Sequence, residues 1–247
     1  MSKTSDFHDD YYIAFYGEEG TWNTRYPNND EITRTDAILP VVGRIASEHY
    51  QQEGASTLRI LDVGSGRGWL TYVLGMYGDS QGVEPVAGVV DRARQLYPQY
   101  TYIVGTPQTM LELGHANSFD IIVCTEVIEH VPTYAEQADF MQALATLITK
   151  DGHIVLTTPR GEIYERWMAH TGDLKQPVEN WLTKTQLHQL ARDKGLTVLA
   201  HQSFATHGLI INNDLPTRIV RRLLRLIGYA NVEPTALMTY QLVHLRK

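Results

Sequence analysis

Leu61-Asp62-Val63-Gly64-Ser65-Gly66-Arg67-Gly68 is the stretch on which the fold turns. Residues 58–63 form a short apolar run with strand character, and three glycines follow at alternate positions. Glycine admits backbone conformations closed to other residues and lets a ligand approach the main chain, so a strand running into such a turn predicts a binding loop. A helix is expected over 69–77.

The strand, turn and helix rhythm continues from there. Strands are expected at 80–84, 101–104, 119–125, 153–158, 197–201 and 239–245, with helices at 86–97, 135–149 and 183–194. The run Phe119–Thr125 is continuously apolar enough for a central strand, and Asp151-Gly152 is expected to turn the chain between helix and strand. Repeated βα units require helices on both faces of a mostly parallel sheet. Ahead of them, residues 32–49 read as a helix with Ile38, Leu39, Val42 and Ile45 on one side, and Pro40 as a point of kinking. Residues 1–30 are polar yet aromatic, with Tyr11, Tyr12, Phe15, Tyr16, Trp22 and Tyr26. Two readings stand for them, packing over the core edge or a lid over a bound substrate. An amphipathic helix is expected at 216–227, with Arg218, Arg221, Arg222 and Arg225 opposite its apolar side. It would pack on this subunit or a symmetric partner, or wall an acceptor site.

Composition narrows the field. In 247 residues, 43% are hydrophobic and 20% charged, the balance of a cored soluble protein. The formal charge of −7 offers polynucleotides no general attraction. The single cysteine, Cys124, excludes an internal disulfide and a four-cysteine zinc site, and reads as a buried small hydrophobe. With no apolar run near roughly 18 residues and no secretory leader at the start, membrane insertion is not expected and the cytoplasm is the default compartment.

Glu84 stands twenty residues after Gly64, at the end of the second expected strand. A carboxylate there can accept both hydroxyl hydrogen bonds of an adenosine ribose. That suits S-adenosylmethionine or NAD alike. A dinucleotide GxGxxG beginning at Gly64 would need glycine at position 69, which holds Trp69. A nicotinamide oxidoreductase is therefore the weaker reading.

LDVGSGRG at Leu61–Gly68, GVEP at Gly82–Pro85 and TEVIEHVP at Thr125–Pro132 together resemble the class I S-adenosylmethionine-dependent methyltransferase family over roughly 58–245. The resemblance implies a Rossmann-like α/β fold with a seven-stranded, mostly parallel sheet, flanking helices and a reversed final strand. On this reading 1–57 form an N-terminal helical and lid region. Residues 58–247 form the methyltransferase domain, with a helical insertion around 205–236 before the last strand. It also implies Glu84 on the ribose, Gly64, Ser65, Gly66 and Gly68 near the methionine part with Asp62 supporting that end, and Thr125 beside the donor. Gln108 is the candidate adenine contact.

Glu126, Glu129 and His130 are the candidate catalytic residues. Helical spacing would bring them together just after the fourth strand. They resemble the corresponding motif of quinone-biosynthesis O-methyltransferases and the metal-binding signature of small-RNA 2′-O-methyltransferases. Three roles stay open: holding a divalent metal, with His170 the only further ligand in view; His130 as a direct base; or orientation of the cofactor. Arg160, Tyr164, Trp167, Met168, His170 and Trp181 are candidates for the acceptor side. The expected function is methyl transfer to a small-molecule acceptor, with O-methylation favoured by analogy. RNA methylation and non-catalytic donor binding are the alternatives, and a homodimer is compatible.

Overall fold

The structure, a computed structural model, describes residues 4–17, 23–165, 176–204 and 239–247. Trp22, Trp167, Met168, His170 and the expected helix at 216–227 lie outside the described residues. Seven strands form one sheet: β1 (Arg59–Val63), β2 (Asp79–Glu84), β3 (Thr101–Val104), β4 (Phe119–Thr125), β5 (Ile148–Pro159), β6 (Thr197–Phe204) and β7 (Tyr240–Arg246). Their order is β3-β2-β1-β4-β5-β7-β6, with the first five parallel and β7 antiparallel to both neighbours. The Rossmann-like sheet with a reversed last strand is thus present.

Side chains alternate between two cores, as the strand period dictates. On β4, Ile122 and Cys124 join Leu61 and Val63 of β1 against α6 (Tyr134–Leu147). Ile121 and Val123 face the other way, with Ile60, toward Ile38, Val42 and Ile45 of α2 (Asn29–Tyr50). All four of these β4 side chains are fully buried, which explains why its sequence shows no polar alternation. Cys124 is core packing, and burial pushes its thiol up. Helix α2 runs on through Pro40, which faces solvent. Asp151-Gly152 does not end an element as expected. Both residues lie inside β5, where Asp151 takes a positive φ of 66° and the register against β4 shifts between Phe119 and Ile121. The helix expected to reach residue 149 stops at Leu147, because Ile148 already pairs with Phe119.

Further helices are α1 (Thr4–Gly17), α3 (Trp69–Leu74), α4 (Ala87–Leu96), α5 (Pro107–Glu112) and α7 (Lys184–Asp193). Thr183 caps α7 through a reciprocal box with Gln186. Among the described residues no helix is long and apolar enough to cross a membrane.

The glycine turn is tied to the N-terminal segment by one side chain. Arg67, 1% exposed, pairs with Glu31 through both terminal guanidinium nitrogens, Nη1 and Nη2 (2.6 and 2.7 Å). It also donates to the carbonyls of Thr24 (2.6 Å) and Tyr26 (2.9 Å). Glu31 is itself the third helical residue of the α2 capping box with Asn28. Removing one member of a buried pair strands the other, at a cost of about 3–5 kcal/mol. Arg67→Met should therefore lower stability by about 3 kcal/mol in chemical denaturation. Arg59→Ala, which breaks the exposed pair with Asp120, should cost under about 1 kcal/mol.

Candidate active site

The sheet reverses its winding between β1 and β4, the position where open α/β sheets build their sites. A cavity of about 430 Å³ lies there, within the range that receives small molecules, about 300–1,000 Å³. Its walls come from the turn after β1, the end of β2, the loop after β4, and helices α1 and α2.

Gly64 and Gly66 both take positive φ, 70° and 50°. A Cβ on Gly64 would stand 2.3 Å from Val127 Cγ2, and one on Gly66 would stand 2.9 Å from the Tyr16 hydroxyl. Glycine here lets the loop after β4 and helix α1 close onto the turn. Gly68 differs: it caps α3, packs against Tyr102 and is not among the residues lining the cavity.

Asp62, Ser65 and Glu84 line the cavity and are buried. Asp62 Oδ2 accepts from Thr71 Oγ1 at 2.7 Å, while its Oδ1 is buried with no partner among the described residues. Ser65 Oγ and Trp69 Nε1, also on cavity residues, likewise have no partner among the described residues. Buried polar atoms are normally satisfied, and three such atoms on residues that line one cavity fit a site completed by a ligand. Glu84 accepts from the N–H groups of Gly66 and Val86, both at 3.2 Å. Burial pushes Asp62 and Glu84 each up to about 7.

The candidate catalytic trio is divided by the structure. Glu126 does not sit on a helical turn with the others. It takes a left-handed φ of 54° directly after β4, and a short 3-10 helix begins only at Ile128. Its Oε1 accepts from Thr157 Oγ1 at 2.9 Å. Glu126, Thr125 and His130 line the cavity, but Glu129 does not: it is 2% exposed and accepts from Thr158 Oγ1 at 2.9 Å. Adjacent threonines of β5 thus turn the two carboxylates onto separate anchors. Among the described residues no three His, Cys, Asp or Glu side chains are grouped to hold a metal. Burial and then the Glu129 charge push Glu126 up to about 8, and burial pushes Glu129 up to about 7.

His130 Nδ1 lies 2.8 Å from the carbonyl of Val178. A carbonyl can only accept, so Nδ1 carries the proton and Nε2 keeps the lone pair. Burial holds the imidazole below its ordinary value, favouring the neutral ring.

Gln108, the candidate adenine contact, is exposed on α5 and outside the cavity lining. Arg160 is also outside it and stands 3.9 Å from Glu162. Trp181 packs on Tyr164 at 5.1 Å between ring centroids. Trp69, Arg34, Gln176 and Tyr240 line the cavity without having been singled out as site residues. Tyr12, Phe15 and Tyr16 of α1 also line it.

Residues 31–201 match the family described as "Methyltransferase domain", well over half of the chain. The chain belongs to the class I S-adenosylmethionine-dependent methyltransferases. It is 30% identical over 105 residues to the ubiquinone biosynthesis O-methyltransferase of Photobacterium profundum, an alignment covering 40% of this chain and 43% of that enzyme. The chain therefore spans less than half the length of that relative. The enzyme of the same name from Vibrio cholerae is 27% identical over 192 residues, covering 68% of this chain and 76% of the relative. In fold, the chain is similar to the N-methyltransferase NodS of Bradyrhizobium japonicum, solved with S-adenosyl-L-homocysteine. The TM-score is 0.63 at 13% identity, with 97% of this chain and 98% of that one covered.

The turn's steric demand can be separated from its backbone demand. Gly64→Ala meets both a positive φ and the Val127 contact, whereas Gly114→Ala meets only a positive φ of 87° with open space around it. Left-handed backbone costs a non-glycine residue roughly 1–2 kcal/mol, and overpacking about 1–3 kcal/mol more. Gly64→Ala should be the more destabilising of the two in denaturant melts. Equal losses would mean that the Val127 contact yields freely.

Proposed function

We propose that the protein binds S-adenosylmethionine in the cavity after β1 and transfers its methyl group to an oxygen of a small-molecule acceptor. The observation carrying this reading is the set of buried polar atoms of Asp62, Ser65 and Trp69 that have no partner among the described residues, on residues that line the cavity with Glu84 at the switch point of a family sheet. Glu84 would take the ribose hydroxyls: each of its oxygens accepts one backbone N–H and keeps a lone pair for one hydroxyl. Asp62 Oδ1 and Ser65 Oγ would serve the methionine end. Gly64 and Gly66 leave the backbone open to it.

Bound there, the donor supplies a methyl carbon whose bond to positively charged sulfur breaks as the acceptor oxygen attacks, the C–S electron pair staying on sulfur. His130 Nε2 would take the hydroxyl proton. A neutral imidazole of lowered basicity suffices, because the oxygen becomes strongly acidic only as the new bond forms. Glu126 lines the acceptor end with a carboxyl anchored by Thr157. Tyr12, Phe15 and Tyr16 would exclude water. The cavity volume and the net charge of −7 support a small acceptor over a polynucleotide. Transfer to oxygen rests on the named activity of the O-methyltransferase relatives.

Calorimetry should show S-adenosylhomocysteine binding and no comparable response to NAD; the reverse would overturn the assignment. Glu84→Ala loses hydrogen bonds to a charged acceptor, worth about 1.5–3 kcal/mol each, so affinity should fall at least roughly tenfold. With Glu84 at about 7 in the free protein, accepting the hydroxyls requires proton release below that pH. Affinity should rise as pH climbs through 7 and then level off, more steeply than in Glu84→Gln. Matching pH profiles would place the ribose elsewhere.

A further inference from the structure

The imidazole of His130 owes its orientation to a carbonyl, Val178 O, on a segment far away in sequence. Something must hold that segment against the loop after β4. Gln137, in the first turns of α6, is fully buried. Its Nε2 donates to Ile128 O at 2.9 Å and to Asn180 O at 2.8 Å. One carbonyl lies two residues before His130 and the other two residues after Val178. Both are acceptors only, so the amide can face them only through its NH₂ group. Gln137 Oε1 is left buried with no partner among the described residues. A plain packing residue at this helical position would be apolar, and an amide kept at the cost of an orphaned oxygen implies a use for its two donors.

The same junction carries Asn180 N–H donating to Glu129 O at 2.7 Å and the Asn180 side-chain amide donating to Pro132 O at 3.4 Å. Neither reaches the 128 carbonyl. Asn180 thus ties its own segment to the loop directly, and Gln137 adds a third tie from α6, one amide group donating to both the 128 and the 180 carbonyls.

We propose that Gln137 is a positioning residue for His130: its side-chain amide clamps residues 128 and 180 together and thereby holds the ring as the Nδ1–H tautomer, with Nε2 free to take a proton. The clamp is a statement about the ring's tautomer; its catalytic consequence rests on the reading of His130 as the base. Losing the clamp lets the Val178 carbonyl drift from Nδ1, and the neutral ring then divides between its two tautomers. The Nε2–H form cannot accept a proton at the cavity.

The test is the nitrogen NMR spectrum of the His130 ring in the full chain, assigned by its absence in His130→Ala. Wild type should show the Nδ1–H tautomer alone. Gln137→Met, which keeps volume and removes both donors, should show a mixture. Gln137→Asn, whose shorter amide reaches only one carbonyl, should fall between and serves if the first variant does not fold. With S-adenosylmethionine and an accepted substrate, Gln137→Met should lower kcat roughly tenfold or more, within the ~10²–10⁴-fold that a positioned base supplies, with little change in donor affinity. An unaltered Nδ1–H spectrum in the folded variants would overturn the proposal. A shifted tautomer alongside full turnover in His130→Ala would uphold the clamp and overturn the base assignment instead.

Discussion

The site depends on one topological constraint: β1 pairs with β2 on one side and with β4 on the other. The chain leaving β1 enters α3, whose Leu74 packs into the core shared with α2. The chain leaving β4 goes to α6, whose Met141 and Leu144 pack on the opposite face. Two neighbouring strands whose connections diverge must leave a crevice between them. Gly64 and Val127 meet at its floor, so the glycine turn and the loop bearing Glu126 and His130 form one wall. Arg67 and Glu31 then fasten the N-terminal segment over it. A glycine-rich turn elsewhere on the sheet would have the same backbone freedom and no opposing loop.

Around that crevice the protein keeps four acids in surroundings that oppose their charge. Asp62, Glu84, Glu126 and Glu129 all sit well above ordinary carboxylates, burial being the first cause in each. A carboxyl raised in the folded state favours folding when protonated. That contribution is complete below its unfolded value near 4 to 4.5 and is lost as pH rises through about 7 to 8. The ligand-free site therefore grows less favourable across the neutral range. A ligand bringing hydroxyl donors and positive charge relieves that strain, which links occupancy of the cavity to the stability of the sheet around it.

Residues whose role is local were legible from sequence. The continuous apolar run of β4 and the Thr183 cap are set by neighbours a few positions away, and both stand where expected. Asp151-Gly152 has turn chemistry and does take a left-handed step, but strand pairing on either side absorbs it into β5. Glu126 misled for the complementary reason: nothing in a run of Glu, Val and Ile marks the positive φ that it takes. Tyr240, Gln176 and Gln137 matter through partners far along the chain, and no periodicity records such meetings. Gln108 fits a local pattern at the end of β3, yet the first turn of α5 points it to solvent.

A crystal structure of the complex with S-adenosylhomocysteine tests the central claim most directly. The account predicts both ribose hydroxyls on Glu84, the methionine end against Asp62 and Ser65 over Gly64 and Gly66, and the sulfur facing the side of the cavity that holds Glu126 and His130. A nucleoside bound outside this crevice, or inside it with the sulfur turned away from His130, would contradict the assignment of donor and acceptor ends.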